Sequence, residues 1–219
     1  MTRRPPPRPS APQPGLRERK KQSLRGELSL AALRLAKQHG LERVRTDDIV
    51  DAVGVSRRTF SNYFANKYEA LADRGVERAQ QSAEVLRSRP RDEPLWPALT
   101  AALIAPYEQL VLNDSPESRE ATLLVFDHPS VRAELWKGEH AAQQALAQAI
   151  AERTGLDLHK DLYPALVAAT AVTAVTTVLE RWLRHKRPPP LLPQLRDALA
   201  QLEHGLPEPT RRRHPRRST

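Results

Sequence analysis

The chain contains no cysteine in its 219 residues. That excludes a disulfide framework, a thiolate metal site and a cysteine nucleophile, and it fits a reducing compartment. Aromatic residues make up 5% of the chain against 39% for all hydrophobic types, so a core must be built from aliphatic side chains and alanine. No stretch shows the period-two alternation of a half-buried strand. No internal repeat is visible. The histidines His128, His140, His159 and His185 have no Asp or Glu neighbours at metal-ligand spacing, so neither a metal nor any other cofactor is expected. A nucleophile–base pair and a phosphate loop are also missing, which argues against an enzyme.

Charge is plentiful but uneven. Residues 1–25 carry eight Lys and Arg against Glu18, a net of +7, and residues 206–219 carry five Arg against Glu208, a net of +4. The whole chain is +9, so the middle is close to neutral. Two basic tails on a neutral globule suit a polyanionic partner through counterion release. Eight glycines stand against twenty prolines, and many of the prolines crowd the ends. Residues 1–15 are too rich in Pro for helix or sheet and read as a flexible arm; residues 206–219 read as a basic tail. The Arg/Pro-rich start lacks the apolar stretch of a secretory signal. Leu162 to Leu179 runs without a charge, but five Ala, four Thr and a Pro make it a poor bilayer span. It reads as a buried helix of a soluble protein with no membrane partner.

Helical periodicity begins at Leu16. Leu24, Leu28, Ala31, Ala32, Leu35 and Ala36 recur at three- and four-residue spacings, predicting an amphipathic helix that ends near Gly40. Thr46 is expected to cap a short helix over 47–53, Ser56 a second over 57–63, and Asn66 with Glu69 a third over 67–88. Pro90, Pro94 and Pro97 mark the expected boundary between a head (16–88) and a body (89–205). Helices are predicted in the body over 97–112 (kinked at Pro106), 116–126, 129–153, 158–185 and 191–204.

The stretch from Thr46 to Phe64 carries the function. Two short helices joined through Gly54-Val55-Ser56 form a helix-turn-helix over 45–64, whose second helix can enter a DNA major groove. Ile49, Val53, Val55, Phe60 and Phe64 fall on inward faces, which turns Arg57, Arg58, Ser61 and Asn62 outward. Arg can grip guanine and Asn adenine, each through two hydrogen bonds. Thr46, Ser56, Thr59, Tyr63 and Lys67 are short or terminal donors suited to phosphate, with Thr46 and Lys67 at helix starts that favour anions.

Residues 22–82 resemble the head of TetR-family regulators in Thr46-x-x-Ile49, Ala52-x-Gly54-Val55-Ser56, Thr59-Phe60, Asn62-Tyr63-Phe64 and Lys67-x-x-x-Leu71. The resemblance implies an all-α, nine-helix homodimer with a small-molecule sensor in its body. It also implies base contacts from Arg57, Arg58, Ser61 and Asn62, and backbone contacts from Thr46, Thr59, Tyr63 and Lys67. The chain departs from the family at Ser61, often aromatic there, at Val50 and Val53, often smaller, and at Ala36, often Phe. Leu123 to Glu139 and Leu179-Glu-Arg-Trp-Leu183 are similar to an actinobacterial-type subgroup, some of whose members respond to fatty-acyl compounds.

In the body, Ala165–Val178 offers a small-residue surface. With Leu191, Leu192, Leu195, Leu199 and Leu202 it could build a four-helix dimer seam. Trp96, Leu103, Tyr107, Phe126, Trp136 and His140 are the candidate pocket residues for a hydrophobic or amphipathic effector. The expected function is a cytoplasmic, nucleoid-associated regulator that reads a palindromic operator in double-stranded DNA, a repressor released by its ligand. The alternative is an architectural protein that binds nucleic acid without sequence preference through its basic tails.

Overall fold

A computed structural model of the chain describes residues 15–112 and 115–208. The expected arm up to residue 14 and the tail from residue 209 lie outside them. The described residues hold helices and turns and no strand. The all-α expectation holds.

The chain divides into two compact units between Ala70 and Leu71. The first holds α1 (Leu16–His39), a 3₁₀ turn (Leu41–Arg43), α2 (Thr46–Val53), α3 (Arg57–Ser61) and the start of α4 (Lys67–Ser88). The apolar stripe of α1 buries Leu28, Ala31, Ala32 and Ala36, while α2 and the segment after it bury Ile49, Val50, Phe60 and Phe64. Gly54 ends α2 at φ +76°, a left-handed conformation that is cheap only for glycine and turns the chain toward α3. Two expected details differ. Arg45, not Thr46, is the residue preceding α2, because the Asp48 carboxylate takes the Arg45 N–H at 2.7 Å and Thr46 is already helical. Helix α3 stops at Ser61 rather than 63, since the Tyr63 N–H turns back to Phe60 O at 2.9 Å in a tighter turn.

The second unit continues α4 and adds α5 (Leu95–Ile104), a 3₁₀ turn (Ala105–Tyr107), α6 (Glu108–Leu112), α7 (Pro116–Phe126), α8 (Pro129–Thr154), α9 (Tyr163–Arg184) and α10 (Leu191–Glu203). Pro106 breaks α5 from α6 as its missing N–H requires. Counting that broken pair once gives nine helices among the described residues. Helix α5 starts two residues before the expected Pro97, after Pro94. Helix α9 starts at 163 rather than 158: Asp157 and Asp161 close a turn through Asp157 N to Asp161 Oδ2 at 2.8 Å, and Pro164 fits only a first turn. The core joins Leu86 of α4, Leu99 of α5, Leu146 and Ile150 of α8, Ala171 and Val175 of α9, and Leu195 and Leu199 of α10.

The Pro90–Pro94 loop, where the expected boundary lies, falls in this second unit. The Arg153 guanidinium donates to Pro90 O at 2.5 Å and Glu93 O at 2.6 Å, tying the loop to α8. Helices α4 and α8 meet at glycines. A Cβ on Gly138 would lie 2.3 Å from Val76 Cγ2, and one on Gly75 2.8 Å from Leu135 Cδ2. A side chain at Gly138 would collide with the stiff Val76 and push the pair apart, whereas one at Gly75 meets only the movable tip of Leu135.

Helix α9 is long and apolar enough to cross a bilayer by length and composition alone. Here one side of it (Val167, Ala168, Ala171, Val172, Val175) is core, while Leu162, Tyr163 and Leu166 around its start are 68%, 45% and 52% exposed. The leucine face of α10 differs from expectation. Leu191, Leu195 and Leu199 are consumed in the chain's own core, because α10 packs directly on α9 and α5. They are not free to face a partner.

Candidate nucleic-acid interface and the body cavity

The five residues of α3 are too few to be helical alone, so neighbours must hold them. Ser56 caps the helix: its Oγ accepts the Thr59 N–H at 3.1 Å and lies 2.9 Å from Thr59 Oγ1. Beneath, Phe60 and Phe64 pack ring to ring at 5.6 Å, both buried. The Arg25 guanidinium of α1 lies 4.8 Å over the Phe64 ring, and its Nη1 donates to Tyr63 O at 3.5 Å. With that floor fixed, Arg57, Arg58, Ser61 and Asn62 all stand exposed, while Thr59 and Tyr63 are half-buried beside them. The four residues expected to meet bases share one exposed edge.

Two of the expected phosphate ligands carry internal duties. Lys67 Nζ donates to Leu41 O at 3.0 Å and Val44 O at 2.9 Å, capping the 3₁₀ turn and leaving one proton for an outside acceptor. Ser56 is the cap of α3. The first amides of α4 are also engaged, since Asn66 Oδ1 accepts from Tyr68 N and Glu69 N, and Glu69 Oε2 accepts from Ala65 N. Thr46 is half-buried in the first turn of α2.

Sequence reasoning missed Asp47. Its carboxylate takes both the Nε and an Nη of Arg57 at 2.8 Å, a two-bond clamp across the turn between α2 and α3. Ten residues separate the pair, beyond any helical spacing, so only a folded helix-turn-helix brings them together. In a pair this exposed (67% and 57%) the clamp orients Arg57 more than it stabilises the fold.

The body encloses a cavity of about 520 Å³ between α4, the 105–107 turn, α6, α7, α8 and the end of α9. Of the expected pocket residues, Tyr107, Phe126 and Trp136 line it; Trp96, Leu103 and His140 do not. Leu103 is buried core and Trp96 packs against that core, while His140 is exposed with its Nε2 3.1 Å from Gln144 Nε2. The wall is mainly apolar (Val76, Leu110, Leu123, Leu179, Leu183), with polar groups at intervals. Burial pushes the Tyr107 phenol up to about 12, so it stays a neutral hydroxyl at any ordinary pH. At one edge Arg184 forks onto Asp127 at 2.6 and 3.0 Å, and Arg132 lies 3.8 Å from Asp127 and 3.6 Å from Glu180. Arg119 stacks on Trp182 at 5.2 Å. Sequence reasoning also missed Arg78, Glu139 and Thr176, which line the same cavity.

A braced, exposed reading helix on one unit and a ligand-sized cavity in the other define a helix-turn-helix regulator with a sensing body. Residues 30–74 match the profile of the bacterial regulatory proteins of the tetR family, and residues 93–207 match the MftR C-terminal domain. The chain belongs to the TetR family. It is 30% identical over 175 residues to the HTH-type transcriptional regulator TcmR of Streptomyces glaucescens, covering 77% of each chain. It is 27% identical over 157 residues to the putative mycofactocin biosynthesis transcriptional regulator MftR of Mycobacterium tuberculosis, covering 72% of this chain and 78% of that one. Its fold matches that of Thermus thermophilus FadR, a TetR-family repressor solved with lauroyl-CoA, at a TM-score of 0.51 and 19% identity, over 87% of this chain and 98% of that one. The protein is therefore a DNA-binding transcriptional regulator and not an enzyme, and the architectural alternative is not favoured.

Proposed function

We propose that the chain acts as a homodimeric, cytoplasmic repressor that binds a palindromic operator and leaves it when a small amphipathic effector fills the body cavity. The observation that carries this reading is the exposed edge of Arg57, Arg58, Ser61 and Asn62 over buried Phe60 and Phe64. On this reading the four meet base edges, Arg57 already aimed by Asp47, while Thr46, Ser56, Thr59, Tyr63 and the remaining proton of Lys67 meet phosphates. The head is residues 16–88 and the body 89–205, with α4 joining them. Bound to its operator the protein resides on the nucleoid.

The dimer reading draws on α9. Leu162, Tyr163 and Leu166 leave apolar surface uncovered by this chain, next to small residues that allow a second helix close approach. The effector reading draws on a cavity in the size range of small-molecule sites. A ligand that binds two arrangements of the body unequally shifts the population between them, and with it the spacing of two heads that must meet successive major grooves.

Selection of binding sites from random duplexes by the purified protein tests the function. An inverted repeat should emerge and outcompete random duplex at physiological salt, with the preference narrowed by Arg58→Ala. Equal binding to every duplex, abolished by salt, would instead mark a sequence-blind binder.

A further inference from the structure

We infer that the body cavity takes an apolar molecule bearing a single carboxylate, and that Arg78 of α4 is the residue that receives it. The inference deepens the effector reading above and rests on it. Four arginines line the cavity: Arg78, Arg119, Arg132 and Arg184. Three have partners within the protein, Arg184 and Arg132 on carboxylates and Arg119 on the Trp182 ring. Arg78 has no hydrogen bond or ion pair among the described residues, with Tyr107 and Glu77 acting on it only at longer range, and its Nε is buried without an acceptor. A guanidinium cannot shed its proton to escape this position. Burial does push its pKa down, which marks how poorly the site solvates the cation.

The carboxylate on the neighbouring wall is held by a neutral donor and keeps its charge. Glu139 Oε1 accepts the Thr176 hydroxyl at 2.7 Å, bridging α8 to α9. Tyr107 contributes a neutral phenol that can donate a further hydrogen bond. Four arginines line the cavity against three carboxylates (Asp127, Glu139 and Glu180), which leaves a net of one positive charge and an adjacent donor inside a mainly apolar wall. A monoanion with planar geometry satisfies both; a carboxylate matches the guanidinium fork with two parallel bonds. A phosphate dianion would leave a negative charge unmatched, and a neutral molecule would leave Arg78 as it is.

The test compares ligands that share a skeleton and differ only in charge, so that size and shape cancel. Decanoate with decan-1-ol, and anthracene-9-carboxylate with 9-anthracenemethanol, are titrated into the full-length protein by calorimetry. On at least one skeleton the carboxylate should bind tenfold or more tightly than the alcohol. Arg78→Met should erase that ratio while leaving the alcohol's Kd within about twofold, and Arg78→Lys should retain part of it. Without ligand, Arg78→Met should melt at the same temperature as the wild type or higher, because it removes a cation whose Nε is buried without an acceptor.

The assignment is overturned if the alcohols bind as tightly as the acids, if neither skeleton binds, or if Arg78→Met keeps the preference or lowers the melting point sharply. Operator binding by the same samples separates this from the broader reading. Failure of the charge preference with intact operator recognition sinks only the ligand class. Loss of operator recognition in the wild type sinks the regulator reading and leaves the calorimetry standing.

Discussion

The two units of this protein place function on opposite sides of their surfaces. In the first, the residues proposed to read DNA are exposed and their support is buried: Phe60, Phe64 and Ile49 below, Arg57, Arg58, Ser61 and Asn62 above. In the second, the proposed working surface is a cavity in the body, mainly apolar in its wall, whose charged groups are mostly matched by one another. DNA offers the same grooves to every reader, so an outward reading surface demands fixed geometry and a firm floor. An effector can be any shape, so a cavity needs only volume, an apolar wall and one or two directing groups.

Substitutions at matched depth can break or sharpen that contrast. Phe60→Ala should have the largest effect. Emptying the floor of the head costs about 3–5 kcal/mol, enough to abolish operator binding. Calorimetry on the same variant should still find the body cavity competent, and coincident loss of both activities would show that the two units do not fold separately. Arg58→Ala comes next, weakening selected operator by about 1–3 kcal/mol while barely changing thermal stability; fluorescence anisotropy and a melting curve together check it. Gly138→Ala tests the packing of the body. The new methyl collides with Val76, costing about 1–3 kcal/mol in a thermal melt, and Val76→Ala in the same chain should return most of the loss. Asp47→Asn should be smallest. Releasing Arg57 from its clamp should raise affinity for random duplex and narrow operator preference by about two- to fivefold, the scale of an exposed ion pair. An unchanged preference would mean that the clamp does not aim the arginine.

The contrast also explains what could be read from the chain. The head is built by short-range rules: a glycine at φ +76°, Ser56 capping three residues on, Phe60 and Phe64 one turn apart. Such spacings are visible in the sequence, so the head helices and their outward residues were legible to within a residue or two at their ends. The duties of Lys67 were not, because its carbonyl partners lie more than twenty residues back. In the body the helices were legible from their prolines and glycines, including the break at Pro106. The cavity was not. Its lining comes from residues 75–79, 107–110, 118–139 and 176–184, and no local spacing links Arg78 to Glu139 or Thr176. Two other candidates, Trp96 and Leu103, belong to the packed core instead.

The glycine contact between α4 and α8 has a mechanical meaning. Because Val76 already occupies the place where a Gly138 side chain would stand, the α8 backbone rests directly on a stiff β-branched side chain of α4. A displacement of α8 caused by something lodged beside Trp136 or Glu139 cannot be absorbed by side chains changing rotamer at that crossing. It is handed on to α4, so a missing methyl group couples the wall of the cavity to the helix that leads toward the head.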